Sequence, residues 1–294
     1  MTLIMNMIAF HKMVASGNDF IVIDNREKLI KNPKRFAAKV CPQHVGVGAD
    51  GVLLIEPSRK ADFFMRIINA DGSEAEACGN GYRCVGLYAH QLLGFSRSMK
   101  VETLAGTIAI EVGKERIRAR MANPSEYQEK ISLSFPQKRE SMDPRLKHAG
   151  MTKEIEGVLH VAFINTGVPH VVFFVEDLEG LGQVGVKELG SAIRYHEMFR
   201  PRGTNVNFVE VTGKDLLSIR TYERGVEDET LACGTGTVAS AVVASLTGKV
   251  ETPVHVKTQS GETLIVGFER KGNQVRNVFL EGSAKFVFEG RLAA

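Results

Sequence analysis

The sequence ACGTG at residues 232–236 repeats the arrangement of ACGNG at residues 77–81. In each copy, a cysteine is followed by two glycines that one residue separates, and a helix-like segment comes next. The two cysteines, Cys78 and Cys233, lie about half the chain apart, which is the spacing that duplication of a domain produces. The repeat therefore predicts two similar units, each carrying one cysteine turn.

The segments around the two turns also repeat in order, with strand-like stretches before and after each helix. We therefore predict an α+β fold of two pseudo-symmetric units, each a strongly curved sheet around a central helix. The first unit is predicted to span residues 1–122, with a C-terminal strand at 283–294 returning to it, and the second to span residues 123–282. The repeated stretches are GNDFIVID (17–24) and ETLAGTIAIEV (102–112) in the first half, and GTNVNFVEV (203–211) and KTQSGETLIVGF (257–268) in the second.

Short segments rich in Val, Ile and Phe predict that strands dominate the chain. Helices are predicted at only two places, residues 81–93 and 237–246, each followed closely by a glycine. The second helical segment is apolar or small nearly all the way round, as expected of a helix enclosed by a sheet. The polar region 123–154 is predicted to cross between the units and to contain some strand. The predicted strands cover residues 20–24, 51–56, 63–68, 107–112, 161–164, 170–175, 207–211, 216–222 and 278–288.

The composition predicts a globular protein that acts on small molecules. Hydrophobic residues make up 44% of the chain and charged residues 24%, which excludes the disordered and fibrous classes. The net charge of +3, without a long basic run, argues against a nucleic-acid partner. No segment approaches the roughly 20 apolar residues of a membrane span, and no leader pattern is visible at the N-terminus. We therefore expect a cytoplasmic protein with no membrane partner.

The cysteines are expected to be free thiols in a reducing compartment. Cys41, Cys78, Cys84 and Cys233 form no CxxC pair, so neither a disulfide framework nor a structural zinc site is predicted. Cys41 and Cys84 are expected to be packing residues, because free cysteine is among the most buried residue types. A zinc site of Cys78, Cys84 and His90 is not expected, because these positions do not share one face of a helix.

A helix that begins directly after Cys-Gly-x-Gly presents unpaired backbone N–H groups, and the glycines let a ligand approach them closely. Together with the helix dipole, these N–H groups bind anions and stabilise a thiolate. Two such turns predict one thiolate and one thiol on opposite sides of a bound anion. If the anion is the α-carboxylate of an amino acid, one cysteine can remove the Cα proton while the other delivers a proton to the opposite face. This chemistry requires neither a metal nor an organic cofactor.

Simpler roles for the cysteine turns stay open at this point. A cysteine before a helix is often only a small buried residue, although core packing alone is not expected to require glycine at the same positions in both copies. Glycine-rich helix starts also hold phosphates, so a module that binds a phosphate ligand is an alternative from a different class. Neither a P-loop lysine nor a dinucleotide fingerprint accompanies the glycines, which favours the enzyme.

Five further stretches are specific in residue type and spacing: HVGVGAD (44–50), NADGSEAEACGNGYRC (69–84), GVPH (167–170), YERGVEDETLACGTGT (222–237) and LEGSAKFVFEG (280–290). With GNDFIVID and GTNVNF, they make the sequence resemble diaminopimelate epimerase over essentially its whole length. The resemblance implies two pseudo-symmetric domains, each a β-barrel-like sheet around a central helix, in a protein that is commonly a homodimer. It also implies a cofactor-independent isomerase that interconverts LL- and meso-diaminopimelate in lysine and peptidoglycan precursor biosynthesis, by proton transfer between two cysteines.

The resemblance also assigns site residues by position. Cys78 and Cys233 match the base and acid pair. Glu223 and Arg224 match the pair that holds the substrate, where an arginine meets two carboxylate oxygens at once and a glutamate suits an ammonium group. His170 matches a histidine near the cysteines, although an ordinary loop position is the alternative. The residues matched to substrate binding are Asn18, Asn69, Gly79, Asn80, Asn205, Gly234 and Thr235.

Two positions depart from the family pattern, which often has glutamine at the place of Gly51 and asparagine at the place of Val168. Both family residues would contact polar groups of a substrate, so side-chain recognition is expected to differ here. Asn165 is predicted to supply the missing amide from the same loop. An alternative function is racemisation or epimerisation of another amino acid on the same scaffold. Proline-type enzymes, however, usually carry CGHG, and here Asn80 occupies the place of that histidine.

Overall fold

The computed structural model describes residues 7–135 and 158–293. Contacts divide the chain into two compact units, residues 1–120 with 281–294, and residues 121–280. Both divisions fall two residues before the boundaries expected from the sequence. The described residues are mostly strand with four α-helices, so the predicted α+β class is confirmed.

The first unit contains nine strands and two helices in its described residues. They are β1 (Met7–Ala15), β2 (Asn18–Asp24), α1 (Pro33–Val40), β3 (Gly51–Glu56), β4 (Phe63–Asn69), β5 (Glu74–Ala75), α2 (Gly79–Leu92), β6 (Ser98–Thr103), β7 (Gly106–Val112), β8 (Ile117–Arg120) and β18 (Lys285–Ala293).

The described residues of the second unit form the remaining elements. They are β9 (Ser125–Ser134), β10 (Val158–Asn165), β11 (Pro169–Phe174), α3 (Leu178–Arg194), a 3₁₀ turn (Glu197–Phe199), β12 (Asn205–Val211), β13 (Leu216–Glu223), β14 (Asp228–Thr230), α4 (Gly234–Leu246), β15 (Val254–Lys257), β16 (Thr263–Lys271) and β17 (Gln274–Gly282), whose last two residues belong to the first unit.

The strands of the two units pair in the same series of steps. In the first unit, β1 and β2 are antiparallel, β2 and β3 parallel, and β3 and β4 antiparallel. Strand β4 then pairs antiparallel with the short β5 and parallel with β6, which is antiparallel to β7. Strands β10 to β16 repeat every one of these steps in the second unit. The duplication that the cysteine turns predict is therefore present in the strand pairing.

One helix lies at the centre of each curled sheet. Helix α2 packs against β1, β2, β3, β7 and β8, which come from opposite ends of the pairing order, so the sheet curls around the helix without closing. Helix α4 packs against β10, β11, β12, β13, β15 and β16. It is buried over most of its length because its residues are small or apolar on every side. None of the helices within 7–135 and 158–293 combines the length and apolar character that a membrane span needs.

Helices α1 and α3 are not predicted by the sequence, and the expectation of only two helices is wrong. Both connect parallel strands, β2 to β3 and β11 to β12, and parallel strands need a long crossover that is usually helical. Their caps are visible in the sequence. Asn32 accepts a hydrogen bond from the N–H of Arg35 at 3.1 Å and precedes Pro33, and Asp177 accepts one from the N–H of Gly180 at 2.8 Å.

The prediction of a single strand over residues 278–288 is also wrong. Residues 283–284 are not in a strand, and they separate β17 from β18. Strand β18 runs antiparallel to β1, with Phe10 opposite Gly290. A Cβ atom at Gly290 would lie 2.8 Å from the ring of Phe10, so a larger residue here would displace that ring. The region 123–154 contains β9 as expected, while its residues from 136 onward lie outside the described residues.

Candidate active site

The first cysteine turn forms the start of helix α2. Cys78 is the N-cap residue, with extended backbone angles (φ −153°, ψ 108°), and its Sγ atom accepts a hydrogen bond from the N–H of Gly81 at 3.3 Å. An N-cap side chain satisfies one of the four N–H groups that a helix leaves unpaired at its start. The N–H group and the positive end of the helix dipole both favour negative charge on this half-buried sulfur.

The second cysteine turn has the same position at the start of helix α4. Cys233 is the N-cap residue, also extended (φ −114°, ψ 113°), and only 6% of its surface is exposed. Its Sγ atom lies 3.5 Å from Oγ1 of Thr235, the second residue of the helix. Both cysteines therefore stand directly before a buried central helix, one in each unit.

Close packing requires the second glycine of the turn in the second unit, while in the first unit a side chain there would meet the flexible end of Met65. A Cβ atom at Gly81 would lie 3.0 Å from Cε of Met65. At Gly236 it would lie 2.2 Å from Oδ1 of Asn207. The repeated glycine is thus partly a packing feature of the central helices, and the cysteines carry the stronger functional signal.

A buried chain of hydrogen bonds reaches Cys233 in the second unit. The amide nitrogen of Asn207 lies 3.1 Å from Nδ1 of His170, and Nε2 of His170 lies 3.0 Å from Oγ1 of Thr235. Because an amide nitrogen can only donate, Nδ1 accepts and Nε2 carries the hydrogen, which it donates to Thr235. The hydroxyl hydrogen of Thr235 is then available to the sulfur of Cys233. Oδ1 of Asn207 accepts a further bond from Thr221 at 3.0 Å.

His170 is a buried strand residue and not a loop histidine. Its side chain lies in β11 with no exposed surface. Burial, with a smaller contribution from the charge of Arg224, lowers the pKa of His170 from 6.5 to about 3. The imidazole is therefore neutral near neutral pH and acts in this site as a hydrogen-bonding group without charge.

The start of helix α2 has different surroundings, with a buried cation. Asn80 donates to Oδ1 of Asn18, and its own Oδ1 accepts from Nη2 of Arg83 at 2.7 Å. The same Nη2 atom donates to Oγ of Ser16 at 2.6 Å, and Arg83 has no exposed surface. Asn18 also donates to Asp50 at 2.9 Å. The two cysteine turns thus share a backbone arrangement but differ in charge.

The turn after β13 presents Arg224. Its backbone N–H donates to Oδ1 of Asn205 at 2.8 Å, while Nδ2 of Asn205 donates to the carbonyl of Pro169 at 3.0 Å. Burial, followed by the nearby charges of Arg194 and Arg202, lowers the pKa of the Arg224 guanidinium. Burial and two cationic neighbours both disfavour the charged guanidinium, and an anionic ligand would offset both effects.

Glu223 is the last residue of β13 and directly precedes Arg224. Its Oε2 atom accepts a hydrogen bond from Oγ1 of Thr230 at 2.9 Å. Asn205 lies opposite His170 in the parallel pair of β11 and β12. The second unit therefore brings together Cys233, Thr235 and His170 with the turn that carries Glu223 and Arg224. The matched residues Gly79 and Gly234 are the first residues of α2 and α4.

Two predicted substrate residues serve local turns. Asn69 is exposed and donates to Oγ of Ser73 at 2.9 Å. Asn165 donates to Oε1 of Glu126 at 3.0 Å, and its Oδ1 accepts from the N–H of Gly167 at 3.0 Å. The predicted role of Asn165 in contacting a substrate therefore competes with bonds that hold its own loop.

Gly51, where the family often has glutamine, lies against the backbone of the neighbouring strand. A Cβ atom at this first position of β3 would lie 2.7 Å from the carbonyl oxygen of Ile68.

Four residues near the cysteine turns were not predicted from the sequence: Asn207, Thr221, Arg83 and Ser16. Asn207 stands inside the quoted GTNVNF stretch and Arg83 inside NADGSEAEACGNGYRC, while the contacts of Ser16 and Thr221 join segments that are separate in the chain. In residues 7–135 and 158–293, no cluster of three or more His, Cys, Asp or Glu side chains is arranged to hold a metal ion.

Comparisons with known proteins agree on one family. The family model described as diaminopimelate epimerase matches residues 10–126 and 162–287. The diaminopimelate epimerase of Aquifex aeolicus (strain VF5) is 43% identical over 297 residues, which cover 97% of each chain. That of Archaeoglobus fulgidus (strain ATCC 49558 / DSM 4304 / JCM 9628 / NBRC 100126 / VC-16) is 41% identical over 291 residues, covering 97% of this chain and 96% of the relative.

Solved structures with lower identity share the fold. A phenazine biosynthesis protein of the PhzF family from Bacillus anthracis has a TM-score of 0.71 at 17% identity and covers 98% of this chain and 99% of its own. A hydroxyproline epimerase from Agrobacterium vitis has a TM-score of 0.67 at 15% identity, with coverage of 100% and 94%. At this identity the likeness shows the architecture alone.

Proposed function

The chain belongs to the diaminopimelate epimerase family, and we propose that it interconverts LL-diaminopimelate and meso-diaminopimelate by proton transfer between Cys78 and Cys233. Membership of the family makes it an isomerase. The observation that carries the two-cysteine proposal is the repeated N-cap position. In each unit a cysteine sulfur stands at the positive end of a buried central helix.

The proposed reaction has two proton transfers at one carbon. The thiolate of one cysteine takes the Cα proton, and the electrons of the C–H bond move into the α-carboxylate. The thiol of the other cysteine then gives its proton to the opposite face of the carbon, so the stereocentre inverts and the two sulfurs exchange protonation states. No redox step occurs, and no cofactor is needed to balance it.

Backbone N–H groups at the two helix starts are proposed to stabilise the charge that develops on the carboxylate. Donors fixed in place before the reaction need no reorganisation when the charge appears, which makes them effective for a weakly acidic α-proton. The residues assigned to this role are Gly79, Asn80, Gly234 and Thr235. Neutral His170 is proposed to support the second of these turns through its bond to Thr235.

The far end of the substrate is assigned to the turn after β13. Arg224 is proposed to hold the distal carboxylate, because its planar guanidinium can donate to two oxygens at once and has Arg194 and Arg202 as cationic neighbours. Glu223 is proposed to hold an ammonium group. The remaining polar contacts are assigned to Asn18, Asn69, Asn165 and Asn205.

We place the reaction in the cytoplasm, in lysine and peptidoglycan precursor biosynthesis. None of the four cysteines, all within the described residues, forms a disulfide, which suits a reducing compartment. We also propose a homodimer, because the paired strands β1 and β18 expose three large apolar side chains. Met7 is 50% exposed, Val287 56% and Phe288 48%. Sedimentation of Phe288→Asp should show a shift towards monomer, and an unchanged dimer would exclude this surface.

The test of the reaction is incubation of LL-diaminopimelate with the protein in deuterated water. Both deuterium at the α-carbon and the meso isomer should appear by NMR and chiral chromatography. Cys78→Ala and Cys233→Ala should each lose epimerisation, while Cys84→Ala, on the same helix as Cys78 but fully buried, should retain it. Activity that persists in either of the first two variants would overturn the mechanism.

The same experiment separates the alternatives. A racemase of another amino acid would leave diaminopimelate unchanged and invert a member of a panel that includes proline and hydroxyproline. A phosphate-binding module would bind nucleotides tightly and would be indifferent to alkylation of Cys78.

A further inference from the structure

In the first unit, an ion pair with two parallel hydrogen bonds holds the segment that precedes Cys78. Nε of Arg66, in β4, donates to Oε1 of Glu74 at 2.7 Å, and Nη2 donates to Oε2 at 2.8 Å. Glu74 lies in β5, which ends three residues before Cys78. The hydrogen bonds from Arg66 hold the pKa of Glu74 below its usual value, so the carboxylate stays charged. We call this arrangement the first fork.

The second unit has the same arrangement, which we call the second fork. Nε and Nη2 of Arg220, in β13, donate to Oε1 and Oε2 of Glu229, in β14, at 2.6 and 2.7 Å. Glu229 stands four residues before Cys233, as Glu74 stands four residues before Cys78. The side chains of Arg220 and Glu229 are only 10% and 6% exposed, so water competes little for these bonds.

The register of the two forks is identical. Glu74 lies opposite Ile68, and its partner Arg66 is two residues before Ile68. In the second unit Glu229 lies opposite Tyr222, and its partner is again two residues before. Residues two apart point to the same face of a strand, so each fork is a diagonal cross-strand pair on one face. Two ion pairs at the same place in a duplicated fold indicate a shared task at the cysteine turns.

The strands that enter the cysteine turns are very short. Strand β5 has two residues and β14 has three, so few backbone bonds fix their direction. A planar guanidinium that binds both oxygens of a carboxylate fixes the orientation of that carboxylate as well as its distance. Each fork therefore supplies the orientation that the short backbone ladder lacks, immediately before the cysteine.

We propose that Arg66 with Glu74, and Arg220 with Glu229, are positioning residues that fix the direction of the chain into the two cysteine turns. This inference rests on the proposed function for its kinetic consequence, but the placement of each sulfur can be measured without substrate. The alternative is a pair of ordinary ion pairs that only add stability.

The test uses Glu74→Gln and Glu229→Gln, which keep the size of the side chain and remove its charge. Arg66→Lys and Arg220→Lys keep the charge and remove the second prong. Two controls match them. Glu76→Gln makes the same change at an exposed position between the first fork and Cys78, and Lys187→Gln removes an exposed ion pair at 2.6 Å to Asp228, next to Glu229.

Each fork variant should lower kcat about 10- to 100-fold while KM changes little, because small misplacement of a reacting group costs this much. The rate of alkylation by iodoacetamide, followed for each cysteine by mass spectrometry, should fall at the cysteine of the altered unit and stay unchanged at the other. The controls should match the parent protein in both measurements.

A lowered Tm with unchanged kcat and unchanged alkylation would overturn the proposal in favour of stability alone, and so would equal changes at both cysteines. If a glutamine variant does not fold, the lysine variant of the same fork decides. If the parent protein does not epimerise diaminopimelate while each fork still governs alkylation of its own cysteine, the positioning role stands and the proposed function fails.

Discussion

Nε2 of His170 lies 3.0 Å from Oγ1 of Thr235, which itself lies 3.5 Å from Sγ of Cys233. Because Asn207 donates to the other ring nitrogen, the imidazole must give its hydrogen to Thr235. The threonine oxygen is then an acceptor towards His170 and is left with its own hydrogen for Cys233. When Cys233 is a thiolate, the buried neutral histidine thus supports, through Thr235, a hydrogen bond to the proposed catalytic sulfur.

Removing the hydroxyl of Thr235 should weaken the reaction. Thr235→Val keeps the shape, loses the donor to Cys233 and leaves the buried N–H of His170 without its acceptor, so kcat should fall about 10-fold or more. Stability should fall by about 1–3 kcal/mol in chemical denaturation. Thr235→Ser restores the hydroxyl and should recover most of both. Equal kcat in the two variants would show that the hydroxyl has no role.

Burial of neutral His170 predicts a pH dependence of stability. The pKa in the folded protein, about 3, lies below the ordinary value of 6.5, so the unfolded chain binds the proton more readily. The contribution of His170 to the free energy of unfolding should therefore be constant above about pH 6.5 and fall as the pH drops towards 3, by up to about 1.4 kcal/mol per pH unit.

Urea unfolding between pH 7 and pH 5 measures this slope. His170→Gln should remove that part of the slope that histidine contributes. His160→Gln changes an exposed histidine and should leave the slope as it is. Parallel slopes for the parent protein and His170→Gln would contradict the assignment.

Replacement of Arg224 should act on binding more than on turnover. Arg224→Lys keeps the charge but loses the fork-shaped contact with a carboxylate, and KM for diaminopimelate should rise about 10-fold, equivalent to about 1.4 kcal/mol of binding energy. Arg200→Lys is an exposed control in the same unit. Steady-state kinetics distinguish the two, and an unchanged KM for Arg224→Lys would remove this residue from the substrate site.

Alanine at Gly236 should destabilise the second unit although alanine favours helices. The added Cβ would lie 2.2 Å from Oδ1 of Asn207, inside the network that reaches His170. We expect a loss of about 1–3 kcal/mol in unfolding free energy. Ser240→Ala, a small change at a buried position of the same helix, should stay within about 0.5 kcal/mol of the parent protein. A Gly236→Ala variant as stable as this control would contradict the packing argument.

The features that sequence analysis predicted are local in the chain. The cysteine turns, the central helices and the duplication follow from residue types at short spacing. Helices α1 and α3 were missed because they depend on parallel pairing between distant strands, although their caps at Asn32 and Asp177 were legible. The bond between His170 and Thr235 could not be predicted, because the two residues meet only after the sheet has formed. Arg83 lies three residues after Asn80 on the same helix, so this partner was within reach of helical spacing and was missed. The glutamates four residues before each cysteine were visible, but their arginine partners require the strand register.

The hydrogen bond between Cys78 and the start of helix α2 allows the protonation state of this cysteine to be measured by NMR spectroscopy. The amide of Gly81 has the sulfur of Cys78 as its acceptor, at 3.3 Å. An amide proton that bonds to a thiolate is more deshielded than one that bonds to a thiol, so the backbone resonance of this one glycine should follow the charge on the sulfur. NMR spectroscopy of a glycine-labelled sample could then read the resting protonation of the cysteine directly, with no substrate and no chemical probe present.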